Sequence, residues 1–174
     1  MAQRFARVRD AGKTEPRRRG LEPGRWGVVP GWAKDLASGS RAFNARAEEL
    51  EEKKMFAPAL AKRRAVIPAT GYYEWKVEDD GKVPLFIHPE GGEPMLFAGL
   101  YEWWRSPENH WILSFTILTH EAVGGLGPIP NRLPVFPPAH HAHAWPDTDL
   151  AEPRHMPAAP TADPPRRAAS PARH

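Results

Sequence analysis

Cysteine is absent from all 174 residues. That removes disulfides, thiolate metal sites and thiol nucleophiles, and it leaves the redox compartment undetermined. No window approaches the ~18 apolar residues of a membrane span. The opening "MAQRFARVRD" has neither the apolar core nor the cleavage site of a secretory leader. Internal repeats are lacking, and so are a G-x-S-x-G elbow and any metal-ligand spacing. His140, His141 and His143 lie close together, but no carboxylate or thiol stands beside them, so a solvated cluster is expected. Neither a metal nor a cofactor is expected. The sequence reads as a cytoplasmic, nucleoid-associated monomer with no membrane contact.

What the chain does have is unevenly spread. The net charge of +3 conceals 16 basic against 8 acidic residues over positions 1–64, and 8 against 13 over the rest. The first stretch therefore reads as a phosphate-facing surface, where each neutralised phosphate releases counterions. A basic arm that merely aids solubility, such as "KTEPRRRG" (13–20), gives the same count.

Short apolar runs rich in β-branched and aromatic residues recur between turn signals: "RWGVVPGW", "RAVIPA", "GYYEWKV", "PLFIH", "MLFAGLYEWW" and "WILSFTILT". In the last, Trp111, Leu113, Phe115 and Ile117 share one face, and Ile112, Ser114, Thr116 and Leu118 the other. One stretch, 46–64, has helical character, with acids early, bases late and an expected break at Pro58. The pattern predicts an α+β fold, a β-rich single domain of short antiparallel strands with a few helices, over 1–136. Residues 137–174 hold 9 of the 21 prolines and 5 of the 8 histidines, which predicts a largely disordered tail.

The stretch "PATGYYEWKV" (68–77) places Glu74 among aromatic rings. As a strand it points Tyr73, Trp75 and Val77 one way and Tyr72, Glu74 and Lys76 the other. Two readings stand side by side. The first is a one-sided strand whose polar face meets water, with Glu74 and Lys76 paired. The second is a carboxyl in an aromatic pocket, raised by desolvation until it donates a proton near neutral pH.

In order, "RFA", "WGVVPGWAKD", "FNARAEEL", "KRRAVIPATGYYEWK", "FAGLYEWW" and "FTILTHEA" resemble the SRAP family, the SOS-response-associated peptidases or abasic-site processing proteins. The resemblance implies recognition of abasic sites in single-stranded DNA and capture of the sugar aldehyde by the mature N-terminus. It implies that Asn44 of "NAR" and Glu74 of "EW" are site residues. Arg4, Arg46 and Arg132 fall in matching motifs and suit phosphate contacts. Trp32 in the "VVPGW" turn is placed to stack on or wedge between bases. Surface ion pairing for the arginines and core packing for Trp32 remain as alternatives.

The departures alter the implied chemistry. Position 2 is Ala where the family carries cysteine, so no thiazolidine can form there. "IPNRLP" puts Pro130 where the family histidine stands, with Arg132 retained. His120, at the end of "FTILTH", is a weak substitute because nothing in the spacing directs it to Glu74. What survives is imine chemistry at the α-amine of Ala2 after methionine removal, non-covalent binding of single strands, or a copy that has lost its chemistry.

Overall fold

The computed structural model describes residues 4–9, 19–79, 81–121, 132–137, 145–146 and 167–171. Strands β1 (Arg4–Arg9) and β2 (Arg19–Trp26) pair antiparallel, from Arg4 opposite Gly24 to Arg9 opposite Arg19. Strand β3 (Asn44–Arg46) is short; β4 (Arg64–Ala69) follows helix α1 (Ala57–Lys62). Two strands, β7 (Met95–Arg105) and β8 (Trp111–Glu121), form the long hairpin of the fold. β1 meets β4, β4 meets β7, and β2 runs parallel to β8 through Arg25–Ser114 and Trp26–Phe115. These pairings return to their starting strand, so the sheet closes into a ring, which leaves fewer edges exposed.

Strict alternation explains why one ring needs two apolar clusters. Ala65, Ile67, Met95, Phe97, Tyr101, Leu113, Phe115 and Ile117 fill the inside. Their neighbours Val66, Ala98, Leu100 and Leu118 face outward and pack under Val28, Leu50, Phe56, Leu60, Val135 and Trp145. As the alternation in 111–118 predicts, β8 shows two distinct faces. Both are buried, from Leu113 to His120. Ser114 on the outer face accepts from the Val29 amide at 2.9 Å, so its burial is satisfied.

The loop that carries Val28 and Val29 approaches a 3-10 helix (Leu36–Arg41) through two glycines. Gly27 has φ +107, and a Cβ there would lie 2.4 Å from the Gly39 carbonyl oxygen. Only glycine tolerates both that angle and that contact.

A smaller sheet has the order β10-β6-β5, with β5 at Tyr72–Glu78, β6 at Gly81–Pro89 and β10 at Arg167–Pro171. It packs on the ring through Tyr72, whose ring meets Phe97 edge-on at 6.0 Å.

Two expectations need correction. The stretch 46–64 is not one helix broken at Pro58. Arg46 ends β3, Ala47–Glu49 is a 3-10 turn, and Pro58 sits in the first turn of α1. A proline amide would be unbonded there anyway, so the residue starts this helix rather than stopping it. In β5 the alternation holds, but the faces are reversed. Tyr73, Trp75 and Val77 are exposed, while Tyr72, Glu74 and Lys76 are half-buried. Lys76 pairs with Glu78 at 3.0 Å, along the strand.

Nine residues past position 136, Trp145 is buried. Its indole N–H donates to Ala65 O at 3.0 Å and Gly99 O at 3.2 Å, and Arg64 stacks on its ring. Among the described residues no helix is long and apolar enough to cross a membrane.

Candidate functional site

Three of the sequence-selected residues, Asn44, Arg46 and Arg132, gather at the end of β8. On one edge β3 runs parallel to it, with Asn44 opposite Ile117 and Arg46 opposite Thr119. On the other edge β9 (Arg132–Pro134) runs antiparallel, with Arg132 opposite Glu121. Paired residues share a face of a sheet. Asn44, Arg46 and Arg132 therefore project from the face that carries Ile117, Thr119 and Glu121. His120 projects from the other face; it is buried, and its Nδ1–H donates to Glu121 O at 2.7 Å. That orientation turns it away from Asn44 and Arg132.

The two arginines are not bare. Arg132 Nη2 donates to Glu48 Oε2 at 2.7 Å and to Thr119 O at 2.9 Å, and its Nε donates to Thr119 Oγ1 at 3.3 Å. Glu48 Oε1 accepts from the Glu121 amide at 3.0 Å, which ties the 3-10 turn to the strand end. Arg46 Nη1 donates to Glu49 Oε1 at 2.8 Å, and Lys53 pairs with the other Glu49 oxygen. Hydrogen bonds from Lys53 and Arg46 hold the Glu49 carboxyl down to about 2. Burial pushes the Glu48 carboxyl up, but hydrogen bonds from backbone amides and Arg132 outweigh it and leave it below the usual range.

Two further elements reach this end of the ring. β4 finishes at Ala69, opposite Met95 where β7 begins, and β8 finishes beside them. Since β1 runs antiparallel to β4 with Arg7 opposite Val66, β1 begins at the same end, at Arg4. Ala2 and Pro130 lie outside the described residues, as do His140, His141 and His143. β5 leaves β4 here, and Glu74 shares the half-buried face of Tyr72, which packs on Phe97. Glu74 stands opposite Leu85 of β6.

Trp32 is elsewhere. It is 68% exposed, so it is no core residue. Its loop is pinned by Val29 on Ser114 and by the Trp104 indole N–H donating to Ala33 O at 2.8 Å. Those anchors lie near the beginning of β8, roughly 20–30 Å along the strand from Arg132 at ~3.3 Å per residue.

Reasoning from sequence missed several residues at the assembled end. Glu48, Glu49 and Thr119 bind the arginines, and the acids had been read only as helix-favouring charge. The spacing of three residues between Arg46 and Glu49 is the one signal available; Glu48 binds Arg132 across 84 residues of chain. An exposed aromatic pair was missed as well. Trp26 and Phe43 meet edge-on at 5.8 Å, and the Trp26 indole N–H donates to Phe43 O at 2.7 Å, next to Asn44 in sequence. Among the described residues no group of three or more His, Cys, Asp or Glu is placed to hold a metal.

The geometry can be set beside known proteins. The family model described as SOS response associated peptidase (SRAP) matches residues 2–169. Abasic site processing protein YoqW of Bacillus subtilis is 36% identical over 133 residues, covering 76% of this chain and 59% of that protein. Abasic site processing protein YedK of Escherichia coli is 35% identical over 127 residues, covering 72% and 54%. The chain thus spans little more than half the length of these relatives. A crystal structure of a Bordetella bronchiseptica protein superposes with a TM-score of 0.75 at 27% identity, covering 98% of this chain and 84% of that one. By the extent of the family match, the chain is a member of the SOS response associated peptidase (SRAP) family.

Proposed function

We propose that this chain processes abasic sites, binding damaged single-stranded DNA at the charged end of β8 and engaging the sugar aldehyde through its N-terminus. The observation that carries the reading is the shared face of Asn44, Arg46 and Arg132, at the end of the ring where β1 begins and β5 departs. The names of the relatives point to the same lesion.

Once Met1 is removed, the α-amine of Ala2 has an ordinary pKa of ~7.7–8.0, so a useful fraction is neutral at pH 7. Its lone pair attacks the aldehyde carbon, a C–N bond forms, and the carbonyl oxygen takes a proton. The carbinolamine then loses its hydroxyl as water, with Glu74 supplying the proton, and an iminium remains. Asn44 holds the sugar or the N-terminal residue. Without a thiol to trap it, the iminium reverses by hydrolysis or loses a C2′ proton. In the second case the 3′ C–O bond breaks, the phosphate leaves, and the strand is cut. A lyase outcome, rather than a stable cross-link, fits Ala2.

Non-covalent binding is the second reading, favoured by Ala2 and Pro130, where the family carries cysteine and histidine. Borohydride trapping on a single-stranded abasic oligonucleotide separates the two. Under the imine reading the Met-processed protein yields a trapped band, and Glu74→Gln slows its formation by ~10²-fold or more. Binding without a band in either protein would leave only the binding module.

A further inference from the structure

Glu48 and Glu49 are consecutive, yet they are held in different ways. Glu48 is tethered to backbone through the Glu121 amide at 3.0 Å, and its Arg132 partner is itself fixed on Thr119. Glu49 has for its two charged partners Arg46 and Lys53, whose side chains are 59% and 52% exposed. Among the described side chains the paired charges here cancel: Arg46, Lys53 and Arg132 stand against Glu48, Glu49 and Glu121. This paired set is therefore neutral until something leaves.

We propose that Glu49 is a built-in competitor for DNA phosphate, occupying Arg46 and Lys53 in the free protein and displaced from them by the strand, while Glu48 stays in place to aim Arg132. The proposal rests on the single-strand reading above. Its physical basis is the difference in tethering. Releasing Glu49 exposes one carboxylate to water and frees two long cations on the surface. Releasing Glu48 would break one more hydrogen bond, the one from the Glu121 amide. The carboxylate-for-phosphate exchange moves no covalent bond and needs no co-reactant. Its effect is to weaken any contact too short to engage both cations, since a lone phosphate must compete with an acid already in position.

The test is fluorescence anisotropy with a labelled abasic single-stranded oligonucleotide over a salt series. Glu49→Gln should bind roughly two- to fivefold tighter at low salt, the range of an exposed ion pair. Its salt slope should steepen by about 0.7, one single-strand phosphate. Glu52→Gln removes an equal charge from an exposed position three residues on and should change affinity by less than the Glu49 variant does. The gain should vanish when Arg46→Ala and Lys53→Met are both present. An unchanged Glu49→Gln, an equal gain from Glu52→Gln, or a gain that persists without the two cations would each overturn the exchange. If wild type and all variants fail to bind at any salt, the single-strand reading falls and the exchange with it.

Discussion

The two ends of β8 are built from different chemistry although one strand makes both. At its start Trp111 and Trp103 are exposed on one face of the hairpin, and Arg105 lies over the Trp111 ring at 5.7 Å. At its finish Ile117, Thr119 and Glu121 stand opposite Asn44, Arg46 and Arg132, and both Arg46 and Arg132 have a carboxylate. The aromatic end looks more like a conventional single-strand surface, since rings and a cation lie open together. The charged end nonetheless has the better claim. It is where β1 starts, where β5 carries Glu74 away, and where Asn44 stands. For Arg132 that pairing is order: Glu48 and Thr119 together fix where its guanidinium points.

The sharpest separation of the ends should come from deleting one ring at each. Phe43→Ala keeps the carbonyl that accepts from Trp26 and from the Ile117 amide, so the backbone scaffold survives. Loss of its ring should weaken binding to an abasic single strand by ~1–3 kcal/mol, the usual worth of one stacked base. Trp111→Ala, at the other end, should leave that affinity unchanged. Anisotropy titrations of both variants decide it, and the reverse result would move the interface to the aromatic end.

Acid should act on the two ends with opposite sign. Glu49 and Glu48 have lowered pKa values, so their contribution is complete above the unfolded value of 4.5 and is lost as pH falls through the folded one, about 2 for Glu49. Glu102, near the start of β8, is raised by burial, an effect its 2.6 Å contact with Arg63 only partly offsets. The folded state therefore binds its proton more readily, and that group's penalty shrinks as pH falls. Denaturant melts between pH 7 and 2.5 should show a flatter acid limb for Glu48→Gln with Glu49→Gln. They should show a steeper one for Glu102→Gln. Equal slopes in all proteins would mean that neither end titrates as described.

Much of this was legible from the chain and some was not, for a physical reason. Local alternation in 111–118 told both faces of β8, because period-2 patterning is written in adjacent residues. Motif matches singled out Asn44, Glu74, Arg46 and Arg132. That Asn44 and Arg132 flank β8 from opposite edges was invisible, since it depends on pairings across 73 and 11 residues of chain, Asn44 with Ile117 and Arg132 with Glu121. The exposed aromatic face of β5 inverted the usual rule, because the ring packs on the side bearing Tyr72 and Glu74. Pro58 favours rather than breaks its helix because α1 starts at Ala57, and a starting point is not written in local composition. Trp145 lay beyond an obvious change of composition, yet one indole with two carbonyl acceptors is enough to seat it in the core.

The most direct measurement compares the salt dependence of abasic single-strand binding for Arg46→Ala and Arg105→Ala, two exposed residues at the two ends of β8. The charged end predicts weaker binding for Arg46→Ala, with a salt slope smaller by about 0.7, and a wild-type curve for Arg105→Ala. Loss of affinity and slope in Arg105→Ala, with Arg46→Ala unchanged, would contradict it.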